Sequence, residues 1–180
     1  MATCRVEFLQ KSHDREAFCC GHPDLDRYLQ RQARQDAQNK VAAAFVAVLP
    51  PGNQVLGFYT LSASTLNAAD VPPEMAKKLP RYPQLPVTLL GRLAVDQYYK
   101  GQALGQFLLM DALYRSQRVA ADIAAMAMVV DAKDAAAMRF YQHFGFLPLN
   151  ASGNKLFLPM ATVVKLFAVS DLKPLPVYVD

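Results

Sequence analysis

The stretch DQYYKGQALGQFLLMDAL, Asp96 to Leu113, decides how the chain is read. It leaves an apolar run, VTLLGRLAV at 87–95, and enters an amphipathic one through a junction bearing Gly101 and Gly105. The pattern predicts a buried strand, a tight elbow, and a helix to about Val119. A helix entered this way leaves its first N–H groups without partners, and its dipole adds partial positive charge. The junction suits a bound anion, and Lys100 adds a full charge. Taken alone, a glycine pair in such a loop serves packing more often than binding.

Upstream, CRVEFL (4–9) alternates as a strand does, and HPDLDRYLQRQARQDAQN reads as a helix with Pro23 in its first turn. Leu25, Tyr28, Leu29 and Ala33 form its apolar stripe. Two apolar runs, 41–49 and 54–64, are split by PPGN and predict a hairpin. Residues 70–86 are a proline-punctuated excursion with one short helix at most. Downstream, 124–132 reads as a buried strand and KDAAAMRFYQHFGF as a helix with Gly145 at C′. KLFLPM (155–160) reads as the last strand, with a short helix or turn over 162–167. Antiparallel strands followed by strand–helix alternation predict a mixed α/β sheet with a central crossover, in one domain over 1–180.

The 180 residues, 53% hydrophobic and 19% charged, describe an ordinary globular chain rather than a disordered one. No apolar run approaches the roughly 20 residues that span a bilayer. The charged, alternating start does not resemble a secretory signal. Cys4, Cys19 and Cys20 offer no disulfide framework, and a reduced cytoplasmic location is expected. Neither they nor His13, His22 and His143 have a metal-ligating spacing. The net charge of +4 permits an anionic partner without requiring one.

With a second strand and FYQHFGF following it, the elbow resembles that of the GNAT acetyltransferase superfamily, which carries Arg or Gln, two free positions, Gly, one free position, then Gly or Ala. Lys100 stands for the Arg/Gln and Ala103 for the first Gly, while Gly105 matches. Ala103 is expected to need only helical φ. HPDLDRYLQRQARQDAQ, GFYTLSAST, LLGRLAVD and KLFLPMATV resemble the tRNA-acetylating toxins of type II toxin–antitoxin modules, a branch of that superfamily. The resemblance implies the GNAT fold and acetyl-CoA as co-substrate, with no metal. Its pyrophosphate would be held at Lys100, Gly101, Gln102, Ala103, Leu104 and Gly105. The pantetheine arm would pair with backbone at Leu93 and Val95. Asp134 stands where many relatives carry a cofactor-holding Asn.

Tyr141 matches the tyrosine that protonates the departing sulfur, a role a hydroxyl of pKa near 10 can fill at neutral pH. Without the resemblance it would be read as a half-buried helix aromatic. The branch implies transfer to the α-amine of an aminoacyl-tRNA, a block of translation, and an antitoxin on a separate chain; a homodimer is left open. Arg27, Arg31 and Arg34 are spaced to share a helix face, and Lys77 and Lys78 cluster with Arg81. Arg92, which interrupts an apolar strand, must reach solvent, a carboxylate or a phosphate. Solvated faces and a rim salt bridge are the ordinary readings of these cations. A phosphate-tracking tRNA surface is the sharper one. Two alternatives stand beside it: a housekeeping GNAT acting on a small amine or protein N-terminus, and a non-enzymatic acyl-CoA-binding module.

Overall fold

The computed structural model describes residues 2–149, 153–168 and 178–179. The strands are β1 (Ala2–Thr3), β2 (Arg5–Phe8), β3 (Ala43–Val48), β4 (Val55–Asn67), β5 (Gln84–Val95), β6 (Ala127–Asp131), β7 (Leu147–Pro148), β8 (Lys155–Pro159) and β9 (Tyr178–Val179). The helices are α1 (Pro23–Arg27), α2 (Ala33–Gln38), α3 (Pro73–Ala76), α4 (Leu104–Val119), α5 (Ala135–His143) and α6 (Met160–Ala168). Seven strands pair in the order β2-β3-β4-β5-β6-β8-β7. β5 and β6 are parallel and connected through α4, which is the expected crossover. β2–β3, β3–β4, β6–β8 and β7–β8 are antiparallel.

By packing, the chain divides into two compact units. The first takes in Met1–Ser62 and Gly91–Tyr114, together with β9. Its core gathers Tyr28, Leu29 and Ala33 from the predicted stripe with Phe18, Val46, Phe58 and Ala94. From α4 it buries Leu104, Phe107, Leu108, Leu109, Ala112 and Leu113, each leucine worth roughly 1.5–3 kcal/mol of transfer free energy. β4 can approach α4 closely because residue 57 is glycine. A Cβ there would sit 2.8 Å from Leu108 Cδ1 and 3.0 Å from the Ala94 carbonyl oxygen. The second unit takes in Ala63–Leu90 and Arg115–Asp171, with a core of Leu66, Val71, Val87, Ala127, Val129, Leu149 and Phe157.

Several boundaries differ from the expected ones. β5 begins at Gln84, inside the segment read as an excursion, and includes Pro86. Proline donates no hydrogen bond, but the Pro86 carbonyl still accepts one from Met126 N–H at 2.9 Å. KLFLPM is not the last strand: β9 follows it and pairs with β1, joining the two ends of the chain. The predicted first helix is interrupted, because Tyr28–Gln32 forms a π turn between α1 and α2.

Candidate active site

The elbow is built at the end of β5. Asp96, buried at the strand's end, accepts from Tyr98 N–H at 3.0 Å through Oδ1 and so caps the 3-10 turn Gln97–Tyr99. Its other oxygen accepts from Cys19 N–H at 2.9 Å. Gly101 follows with φ +80 and Ala103 with φ +59. The first bond of α4 runs from Phe107 N–H to the Ala103 carbonyl at 3.0 Å, leaving the N–H groups of Leu104, Gly105 and Gln106 outside the helix ladder. Three donors with no partner among the described residues, at the positive end of a 16-residue helix, fit a pyrophosphate.

Ala103 corrects the expectation of helical φ. Its left-handed backbone is where the family glycine belongs, and an alanine there is strained. Ala103→Gly is expected to stabilise the fold by about 0.5–1 kcal/mol, relief of strain outweighing the extra freedom of the unfolded chain. Denaturant titration checks it, and a lower midpoint would reject it.

Leu93 and Val95 are half-buried near the end of β5. The parallel register with β6 covers Thr88, Leu89 and Leu90 only, so Gly91 to Val95 lie beyond it. An extended stretch that has left its neighbour can take an added strand, as a pantetheine arm would supply. Gln102 is half-buried, and its side chain donates to the Tyr98 carbonyl at 3.5 Å. Lys100 turns to the Cys20 carbonyl, at 2.7 Å.

In the second unit, Tyr141 sits on α5 with its ring buried between Phe140 and Phe146, at centroid distances of 5.2 and 5.4 Å. Burial raises the pKa of its hydroxyl, which has no hydrogen-bond partner among the described residues. Asp134, placed with the cofactor residues by resemblance, is the N-cap of α5 and accepts from Ala137 N–H at 2.7 Å.

Of the three arginines expected to share one helix face, Arg27 precedes the π turn Tyr28–Gln32, Arg31 lies within it and Arg34 follows it. The π turn breaks the α-helical phase between Arg27 and Arg34. Arg27 and Arg31 are exposed, Arg27 with a 3.5 Å contact to Asp24. Arg34 is half-buried and helps to lower the pKa of Arg15, for which burial is the main cause. Among the described residues Arg92 makes no salt bridge; its guanidinium carbon lies 3.5 Å from the centre of the Tyr28 ring. The Tyr28 hydroxyl donates to Asp36 at 2.9 Å, as does the Gln32 amide. Burial, with that bond, pushes the Tyr28 hydroxyl up to about 12. The Gln32 hydrogen bond is the main cause holding the Asp36 carboxyl below its usual range; burial opposes it, and Tyr28 and Arg92 add to it. In the second unit Lys77 and Lys78 are exposed, Lys77 at 3.9 Å from Glu74.

Asp96, Asp36 and the Cys19–Cys20 backbone were not foreseen as parts of the site's scaffold. An aspartate at a strand end ahead of a short turn is a recognisable cap signal, and would have found Asp96. Among the described residues no cluster of three His, Cys, Asp or Glu side chains is arranged to hold a metal. No helix there is long and apolar enough to cross a membrane.

Residues 7–146 match the acetyltransferase (GNAT) family, and the chain belongs to that family. It is similar to a tRNA-acetylating toxin of Mycobacterium tuberculosis, 35% identical over 138 residues, covering 77% of this chain and 81% of the relative. It is also similar to AtaT solved in complex with acetyl-methionyl-tRNAfMet, at 31% identity and a TM-score of 0.85, over 91% of this chain and 99% of the other. A third likeness is to a tyrosine-to-phenylalanine mutant of the AtaT toxin bound to the C-terminus of the antitoxin AtaR and to acetyl-CoA. That identity is 27% and the TM-score 0.78, over 91% of this chain and 98% of the other. The protein is an acetyl-CoA-dependent N-acetyltransferase with the GNAT fold and a mixed seven-stranded sheet.

Proposed function

We propose that the chain transfers the acetyl group of acetyl-CoA to the α-amine of an aminoacyl-tRNA and thereby blocks translation. The observation that carries the cofactor part is the run of β5 beyond its β6 register into three unused N–H groups at the start of α4. The substrate part is supported by the tRNA-acetylating relative and by the AtaT complex with an acetylated tRNA.

In this reading the N–H groups of Leu104, Gly105 and Gln106 hold the pyrophosphate, with Gly101, Gln102 and Ala103 shaping the turn. Backbone at Leu93 and Val95 aligns the pantetheine arm. The amine forms the new C–N bond as the C–S bond breaks, Tyr141 gives its proton to the sulfur, and the amine's surplus proton, passed through solvent, restores the Tyr141 hydroxyl. A free α-amine titrates near 7.7–8.0, and the ester of an aminoacyl-tRNA lowers that further, so a neutral fraction is present near pH 7 without a dedicated base. Asp134 caps the helix that carries Tyr141. The expected surroundings are the cytoplasm and an antitoxin on a separate chain, the kind of partner AtaT has.

The test incubates the protein with acetyl-CoA and a charged tRNA pool and looks for N-acetylaminoacyl-tRNA, which is expected. Acetylation of a free amine with no labelled tRNA would select the housekeeping activity instead. Each of Arg27, Arg31, Arg34, Lys77, Lys78 and Arg92 that meets a phosphate should, as alanine, flatten the slope of log K against log[salt] by about one unit. Labelling with a salt-independent affinity would keep the reaction and reject this surface.

A further inference from the structure

We propose that Lys100 is a positioning residue. Its ammonium fastens the elbow to the loop at 19–21 instead of meeting the cofactor phosphates, and this tether sets the conformation in which the elbow binds. The inference rests on the elbow being the acetyl-CoA site.

Four hydrogen bonds define the loop. Cys19 N–H donates to the buried Asp96 carboxylate at 2.9 Å, and Gln97 N–H donates back to the Cys19 carbonyl at 2.8 Å. Cys20 N–H donates to Asp26 Oδ1 at 2.8 Å, which ties the loop to α1. The Cys20 carbonyl takes the Lys100 ammonium at 2.7 Å. The backbone N–H and C=O of both Cys19 and Cys20 are therefore used, three of these four bonds reaching to the elbow side. Gly21 beside the ammonium has φ +88, a left-handed backbone that favours glycine, and a Cβ there would stand at ordinary contact distance, 3.6 Å, from Lys100 Nζ.

The tether falls where the elbow needs one. Asp96 fixes the entry to the turn, and the Ala103–Phe107 bond fixes its exit. Between them lie two left-handed residues, Gly101 and Ala103. Lys100 directly precedes that pair, and a charge-assisted bond to a carbonyl is about twice as strong as a neutral one. An ammonium is a point donor that suits a single carbonyl, whereas a guanidinium fork suits a phosphate face. Lysine at this position thus matches the contact it makes.

The experiment compares wild type, Lys100→Met and Lys100→Arg. Without ligand, a thiol reagent followed by peptide mass spectrometry reads Cys20, a residue only 2% exposed in the intact fold. Lys100→Met is expected to label at Cys20 at least about tenfold faster, and Lys100→Arg, which still donates to the carbonyl, near the wild-type rate. Coenzyme A should bind the Met variant several-fold more weakly with an unchanged salt dependence, and acetyl transfer should show a raised KM with little change in kcat. Unchanged Cys20 labelling overturns the tether, and a reduced salt dependence alongside it makes Lys100 a direct phosphate ligand. If wild type fails to bind coenzyme A, the cofactor reading falls, while Cys20 labelling still decides whether the tether exists.

Discussion

Tyr141→Phe is expected to slow acetyl transfer by about 100-fold or more while leaving acetyl-CoA affinity nearly unchanged. The substitution removes one oxygen from a ring held by Phe140 and Phe146, and a phenylalanine ring fills the same space. No hydrogen bond within the described residues is broken, so the folded protein should be as stable as wild type or slightly more so. The loss falls on the departing sulfur, which then leaves as a bare thiolate. Single-turnover rates with a charged tRNA, alongside the Kd of acetyl-CoA, separate these quantities. Equal turnover for Phe and Tyr would make Tyr141 a packing residue.

The pH dependence carries the same argument. Burial raises the Tyr141 pKa above its ordinary value near 10, so the hydroxyl stays protonated throughout the neutral range. Depletion of the acid therefore begins only above pH 10. A rise in rate around pH 7–8 should reflect deprotonation of the substrate amine, and Tyr141→Phe should keep that rise at a lower level.

What was legible in the sequence was whatever periodicity and punctuation record. The helix from the elbow ends at Val119 as read, the crossover is present, and Gly145 has the left-handed backbone, φ +91, that its C′ position requires. The stripe of Tyr28, Leu29 and Ala33 is buried as read, yet the π turn within it was invisible, since an extra residue per turn leaves the apolar residues adjacent. Ala103 misled for a different reason. Alanine favours helices, and its left-handed φ is imposed by the junction rather than by its own preference. Arg92 reads in sequence as needing solvent, a carboxylate or a phosphate; the Tyr28 ring it lies over is remote in sequence and has no spacing that would reveal it. Lys100 was counted as charge for the phosphates because its neighbours in sequence are the elbow. The Cys20 carbonyl that takes its ammonium lies 80 positions away.

Gly105→Asp is expected to weaken coenzyme A binding at least about 100-fold without unfolding the protein. Gly105 is the second residue of α4, with its N–H outside the helix ladder. An acidic side chain in a first turn favours the helix by about 0.3–1 kcal/mol, and aspartate is no poorer a helix former than glycine. Stability should therefore hold or rise slightly. The ligand meets the opposite sign: a carboxylate about 4 Å from a phosphate oxygen is repelled by about 4 kcal/mol at an effective dielectric of 20, before solvent screening reduces it. A net loss of about 2.7 kcal/mol is the stated factor of 100. Gly105→Ala isolates the steric part and should lose much less. Calorimetric titration beside denaturant unfolding reads both quantities. A folded Gly105→Asp protein that binds coenzyme A like wild type would mean that the pyrophosphate does not sit at the start of α4. High salt should recover part of the Asp variant's deficit and none of the Ala variant's, because only the first is electrostatic.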